Sequence, residues 1–198
     1  MRFIKTRRLI LKDIDEDEIP ILHAWRNSDT FRRFCSTRRN AISLEDFERE
    51  YVKDLENDRY LQLIIIKKSS HEPIGTVWAY NINLTDGYIF ITTFLDPNYH
   101  KIGYGIESFV GTMIYLFDTL PTLHKIYTEA YSYNNHSVSI MQKAGFLEEG
   151  IFLEHRLIDE KRYDLHRFAF YRRQLSENAN LIKKINPSSF SIGLDSVS

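Results

Sequence analysis

The stretch that most constrains this chain of 198 residues runs from Gly87 to Phe117. A run of β-formers, Gly87-Tyr88-Ile89-Phe90-Ile91-Thr92-Thr93-Phe94, leads into the turn Leu95-Asp96-Pro97-Asn98-Tyr99-His100-Lys101-Ile102-Gly103-Tyr104-Gly105. A strongly periodic apolar segment follows. Ile106, Phe109, Val110, Met113, Ile114 and Phe117 have the spacing of one buried helical stripe, and Pro121 closes it. A helix that begins on two glycines points free backbone N–H groups, and the positive end of its dipole, into one small concavity suited to phosphate. Glycine at 103 and 105 keeps a Cβ out of an anion's way. The competing reading is a tight strand-to-helix turn with no ligand.

Two other phosphate loops are excluded. No G-x-x-x-x-G-K-[ST] occurs in the chain. The three-glycine dinucleotide fingerprint fails because position 108 is Ser, and the turn lies mid-chain behind several strands.

Downstream, Lys125-Ile126-Tyr127-Thr128-Glu129-Ala130-Tyr131 alternates as a strand. It runs into Asn134-Asn135-His136-Ser137 and a short helix, Val138 to Ala144, closed by Gly145 as C-cap before Phe146 opens another strand. Together the two blocks resemble the GNAT N-acyltransferases: a phosphate-cradling [Q/R]-x-x-G-x-[G/A] before a helix, then a strand, N-x-x-S, a short helix and G-F. The first motif is His100-Lys101-Ile102-Gly103-Tyr104-Gly105; the second is Asn134-Asn135-His136-Ser137 with Gly145-Phe146. The flanks resemble the branch of ribosomal-protein N-terminal and polyamine acetyltransferases. Thr6-Arg7-Arg8-Leu9-Ile10-Leu11-Lys12 is similar to its opening R-L-x-L-R strand, and Glu149-Gly150-Ile151-Phe152 with Arg162-Tyr163-Asp164 is similar to its closing hairpin. Two positions depart from the pattern. His100 replaces the usual Gln or Arg, and Met141 stands where many members carry a tyrosine that protonates the departing thiolate, which methionine cannot do.

The resemblance implies an α+β domain: a central, mostly antiparallel sheet, splayed at the cofactor site and flanked by about four helices. It implies acetyl-CoA as co-substrate. The backbone N–H groups of residues 102–105 would take the diphosphate, and His100, Lys101, Ile102, Gly103, Tyr104 and Gly105 form that loop. Lys101 is either a phosphate contact or a solvated lysine. Phe94 and Leu95 would offer backbone groups to the pantetheine arm, which lies like an added strand. Asn134 is either a partner of that arm or a helix cap. Direct transfer needs an amine to lose a proton and the sulfur to gain one. Ser137 is the expected donor, with helix capping as its other reading. Glu129, on the same side of its strand as Tyr127 and Tyr131, is the candidate base, with a salt bridge as its other reading. On the acceptor side, Trp25-Arg26-Asn27 resembles a first-helix motif of GNATs that act on nucleotide-linked amino sugars. Tyr80, and His155 facing Asp164 across the last hairpin, join them as candidate substrate contacts; core packing is the alternative for the aromatic residues. The expected reaction is acetyl transfer to a primary amine (a protein N-terminus, a polyamine or an amino sugar) within a ternary complex. A coenzyme-binding module without catalysis is the competing expectation.

Composition bounds the rest. A net charge of -1 argues against nucleic acid as the main partner. The single cysteine, Cys35, excludes an internal disulfide and a cysteine metal cage, and lies too far along the chain from the acyl site to suit covalent catalysis. No metal is expected. No stretch reads as a signal peptide or membrane span, so the expected protein is cytoplasmic, a monomer or homodimer. Periodicity predicts strands over about 6–12, 60–68, 73–83 and 87–95, and a helix over about 18–27. Ser43 with Asp46 opens a second helix whose stripe is Leu44, Phe47, Tyr51 and Leu55. Asp86-Gly87 is a hairpin turn, and Phe146–Glu154 pairs with Tyr163–Tyr171. One domain is expected over 1–175, with a mostly disordered tail over 176–198.

Overall fold

The computed structural model describes residues 2–38, 40–57, 59–178 and 192–194. Its strands are β1 (Arg2–Lys5), β2 (Leu9–Lys12), β3 (Leu61–Lys67), β4 (Glu72–Asn83), β5 (Tyr88–Leu95), β6 (Lys125–Tyr131), β7 (Leu147–Ile158), β8 (Lys161–Tyr171) and β9 (Ile192–Leu194). They form one sheet in the order β7-β8-β6-β5-β4-β3-β2-β1-β9. Every described pairing is antiparallel except β5 with β6. The α+β class and the mostly antiparallel sheet expected from the sequence are what the chain adopts.

The helices are α1 (Ile19–Arg26), α2 (Asp29–Phe34), α3 (Leu44–Leu55), α4 (Tyr104–Thr119), α5 (Asn135–Lys143) and α6 (Gln174–Glu177). The two beyond the expected four are short. In α2, Ser28 caps by accepting from Phe31 N, and only Phe31 is buried, so no apolar period is legible. One turn of α6 follows the last strand. The strand expected over 6–12 is shorter, Leu9–Lys12, and a further strand, Arg2–Lys5, precedes it. Thr6 N donates to Leu9 O at 3.0 Å, closing a tight turn between β1 and β2. The stripe on α3 is shorter than its spacing implied: Phe47 is buried, but Leu44 and Leu55 are 42% and 61% exposed. Ser43 does cap it, accepting from Asp46 N at 3.1 Å. The last hairpin runs to Ile158 and turns on Asp159 and Glu160, both at positive φ. Most of the tail expected over 176–198 lies outside the described residues; within that span β9 pairs with β1 through Ile4↔Ile192.

The sheet divides the core in two. Ile89, Ile91 and Leu95 of β5 belong to the cluster that includes Phe109, Val110, Met113 and Phe117 of α4. Ile64, Ile66 and Phe94 belong to the cluster of Leu22, Trp25, Phe31 and Phe47 from α1–α3. Alternation along β5 sends neighbouring side chains to opposite faces and so packs both clusters. Because β5 and β6 are parallel, the chain must cross over between them, and the 16-residue α4 is that crossover. One glycine is fixed by close approach: a Cβ on Gly75 would stand 2.2 Å from the backbone oxygen of Phe94. Gly75→Ala should therefore destabilise the fold by about 2 kcal/mol, read as an earlier denaturant midpoint with an unchanged slope.

Candidate active site

The parallel ladder is short. β5 and β6 pair only through Tyr88↔Lys125, Ile89↔Ile126 and Phe90↔Tyr127, yet β5 continues to Leu95 and β6 to Tyr131. Beyond Phe90 the strands part, opening the splay expected from the sequence. Asp96 N donates to Ile74 O of β4 at 2.9 Å, and Phe94 lies opposite Thr76. By strand alternation residues 92, 94 and 96 thus turn their backbone groups to β4, while 91, 93 and 95 turn theirs into the gap. This corrects one expectation. Phe94 offers no backbone group to the gap, and its side chain is core, 3% exposed. Leu95 does face it, and His100 Nε2 donates to its carbonyl at 2.9 Å. The hydroxyl of Thr93 is buried with no hydrogen-bond partner among the described residues.

At one end of the gap is the glycine turn. Asp96 Oδ1 accepts from Asn98 N at 3.0 Å and its Oδ2 accepts from Trp25 Nε1 at 3.2 Å, which pins the turn to α1. Lys101 and Gly103 have φ of 64° and 85°. Gly103 is the N-cap of α4 and supplies no side-chain cap. Among the described residues nothing accepts from the backbone N–H groups of Lys101, Ile102, Gly103, Tyr104 or Gly105. The nitrogens are free, as an anion site requires. Gly105 is helical, and a Cβ there would rest 3.5 Å from Leu95 Cδ1. The fold does not need this glycine, so its value lies in leaving the helix end bare. Lys101 and Ile102 are exposed, whereas Tyr104 is buried.

Under the turn lies a buried carboxylate in the first turn of α4. Glu107 is 2% exposed. Its Oε1 accepts from Thr6 Oγ1 at 2.7 Å and Arg8 N at 2.6 Å, and its Oε2 from Arg8 Nε at 2.6 Å. Arg8 Nη1 then donates to Ile102 O at 3.0 Å. A carboxylate this buried is stable only when paired and hydrogen-bonded, and both conditions hold. Arg8 was visible in the opening strand motif; only the three-dimensional pairing gives it a place in the site.

Across the same open end, beyond the last residue of β6, stands α5. Asn134 is its cap, with Oδ1 accepting from Ser137 N at 3.3 Å. Ser137 is therefore not the cap, and its hydroxyl has no partner among the described residues. Met141 packs against the main core. Glu129 does lie on the same face as Tyr127 and Tyr131, but its Oε1 accepts from Arg167 Nε at 2.9 Å and Nη2 at 2.7 Å. Its base role gives way to that ion pair, because the carboxylate's work is to hold Arg167 over Phe90, 5.1 Å from the ring centre, and Phe152, 4.7 Å.

The acceptor candidates separate. Trp25 is core, 5% exposed, with its N–H spent on Asp96. Asn27 Oδ1 accepts from Ile42 N and its Nδ2 donates to Ile42 O, both at 2.9 Å, so it fastens the loop before α3. These two side chains serve the fold. His155 is exposed, beside Phe152 at the sheet edge. Tyr80 lies tilted against Phe90, 5.5 Å between centres, on the face shared with Trp78 and Thr92. Arg26 lines a cavity of about 170 Å³ with Phe31, Tyr51, Asp54, Tyr60 and Trp78. The Asp54 carboxylate has no partner among the described residues, and burial, then Glu50, pushes its pKa upward against the pull of Arg26. This aromatic and acidic cavity was not legible from spacing, because its walls come from α1–α3 and β3–β4.

With this geometry in place, the family is evident. Residues 8–147 match the model of the GNAT acetyltransferase domain, so the chain belongs to the GNAT acetyltransferases and is an acyl-CoA-dependent N-acyltransferase. No curated protein matches the chain. Among solved structures, the spermidine N-acetyltransferase of Vibrio cholerae, in complex with CoA and spermine, is similar at TM-score 0.76 and 19% identity over 84% of this chain and 96% of that one. A GNAT-family acetyltransferase from Bacillus anthracis gives 0.72 and 19% over 86% and 99%. A GCN5-related N-acetyltransferase from Brucella melitensis gives 0.76 and 19% over 96% and 87%.

Burial raises the Cys35 thiol from 9.0 to about 12, and the Tyr51, Tyr80 and Tyr133 hydroxyls from 10.0 to about 12. Between these limits the unfolded chain binds fewer protons than the native one, so stability falls as pH rises. Melting temperatures at about pH 8 and about pH 10.5 should show a clear drop at the higher value. Over the same interval Cys35 should resist alkylation until the chain is denatured.

Proposed function

We propose that residues 1–175 act as one acyltransferase domain that moves an acetyl group from acetyl-CoA directly to a primary amine, with both bound at once. The observation that carries this reading is the row of unpartnered N–H groups from Lys101 to Gly105, at the mouth of the gap where β5 leaves β6. Those amides fit a diphosphate. The backbone groups of 91, 93 and 95 fit the amide-bearing arm as an added strand. Coenzyme A supplies the activated thioester; the protein binds, orients and moves protons.

Ser137, with a free hydroxyl at the start of α5, is the proton donor in this reading, directly or through water. Proton loss from the ammonium proceeds through solvent, since Glu129 is held by Arg167. Cys35 takes no part, because burial keeps its thiol protonated. The acceptor is a small cationic amine. Asp54 and the aromatic walls of the cavity under α3 suit an ammonium group, and the similar Vibrio cholerae enzyme was solved with spermine. A protein N-terminus and an amino sugar remain the other members of the panel to be tried. A second reading, coenzyme binding without catalysis, draws on Met141, whose core position removes a tyrosine donor.

Purified protein mixed with acetyl-CoA and an amine panel should release free thiol, most strongly with linear diamines and polyamines. Tight coenzyme binding with no thiol above background would select the second reading. Ser137→Ala should lower kcat about a hundredfold while coenzyme affinity stays within about twofold. With solvent as the proton sink, kcat/KM should climb with pH until the acceptor's own pKa, and a plateau well below it would restore an enzymatic base.

A further inference from the structure

We propose that Arg8 is the built-in cation of the diphosphate site, with Nη2 aimed at a coenzyme phosphate oxygen above Gly103. The inference rests on the coenzyme reading of the glycine turn. Three of the guanidinium's faces are accounted for. Nε is held by Glu107 Oε2 at 2.6 Å, Nη1 by Ile102 O at 3.0 Å, and the plane lies 4.4 Å from the ring centre of Tyr104. Nη2 alone has no partner among the described residues. It stands beside Gly103, where an added Cβ would lie 3.4 Å from it. The free donor therefore stands beside the same turn whose N–H groups are free.

Exposure and charge agree with this placement. The Arg8 side chain is 37% exposed and its carboxylate partner 3%. The anchor is thus buried while the working end is open to a ligand. Charge is not balanced within the cluster: Glu107 neutralises Arg8, and Lys68 Nζ, hydrogen-bonded to Thr6 O, adds a second cation. One net positive charge remains beside the N-terminus of α4, whose dipole has the same sign. Arginine suits this post better than lysine, because a planar fork can satisfy a carboxylate, a carbonyl and a phosphate oxygen in one fixed orientation. A fold staple would need the contacts to Glu107 and Ile102 but would have no use for an unpaired Nη2 over the anion loop.

The test compares acetyl-CoA with S-acetylpantetheine, which carries the same thioester and arm but no diphosphate. Wild-type protein should prefer acetyl-CoA by kcat/KM, and Arg8→Ala should shrink that preference about tenfold. Arg8→Lys keeps the charge and the apolar stem but not the fork; it should recover part of the preference, and it replaces the alanine variant if that one fails to fold by circular dichroism. Calorimetry with coenzyme A and pantetheine reads the same ratio without turnover, so an inactive protein still decides the question. Salt should weaken coenzyme binding less steeply in Arg8→Ala than in wild type. A preference left intact in both variants, whether the two donors lose together or neither loses, overturns the proposal and leaves Arg8 a fold staple. If wild type itself binds the two ligands equally, the diphosphate reading of the turn falls, and Arg8 with it.

Discussion

The parting of β5 from β6 is the constraint on which the other features of this molecule depend. Two parallel strands, paired over residues 88–90 and 125–127, diverge inside a sheet that is otherwise continuous from β7 to β9. Unpaired backbone groups are tolerable at a sheet edge, where water serves them, but these lie between strands. The fold answers locally where it can: His100 caps the Leu95 carbonyl. In the proposed reading the amide-bearing arm of a coenzyme answers for the rest. The gap is also protected from the usual hazard of open edges, since strands flank it on both sides and another chain cannot reach it as it would a free edge.

The glycine turn is held in place from outside itself. Among the described residues no backbone N–H of residues 101–105 has a partner, and two of these residues carry positive φ, so the conformation is not self-sustaining. Two pins come from separate parts of the chain, Trp25 on Asp96 and Arg8 on Ile102, and a third, the His100 ring on the Leu95 carbonyl, ties the turn to its own start. Arg8 is locked by the buried Glu107, which also fastens the β1–β2 turn. Ordering of the loop is thus complete before a ligand arrives, and binding does not bear that entropic cost. Substitution at Glu107 would disturb both the fold and the anion site, because one carboxylate serves Thr6, Arg8 and, through Arg8, Ile102.

What could be read from the sequence was local. The α4 stripe, the glycine N-terminus, the alternating face of β6 and the Ser43 cap are fixed by neighbours within one turn or one strand, and the structure contains them. The site residues that changed role are those whose partners lie far along the chain. Trp25 looked like a ligand until Asp96, at a separation of 71, took its N–H. Glu129 looked like a base until Arg167, at a separation of 38, took its carboxylate. Glu107, in the first turn of α4, finds its counter-ion in Arg8, at a separation of 99. Phe94 failed for a different reason. Side-chain alternation was legible, but the matching alternation of backbone groups needs one hydrogen bond, Asp96 to Ile74, to fix its phase.

Met141 removes a proton donor, and the size of that loss decides how much catalytic rate the chain gives up. A positioned general acid contributes on the order of 10² to 10⁴ in rate. Holding two reactants together can contribute effective concentrations on the order of 10⁵ to 10⁸ M. The leaving group is also undemanding: an alkyl thiol of pKa about 8.5 departs as a thiolate that is stable near neutral pH. In the proposed reading the features retained here (free amides, a pinned turn, an open gap and a cavity lined by Asp54 and aromatic rings) serve to hold and orient the reactants, which is the greater of these two effects. Only the lesser effect, proton donation to the sulfur, is touched by methionine at 141, and the unpartnered hydroxyl of Ser137 lies one helical turn away on α5.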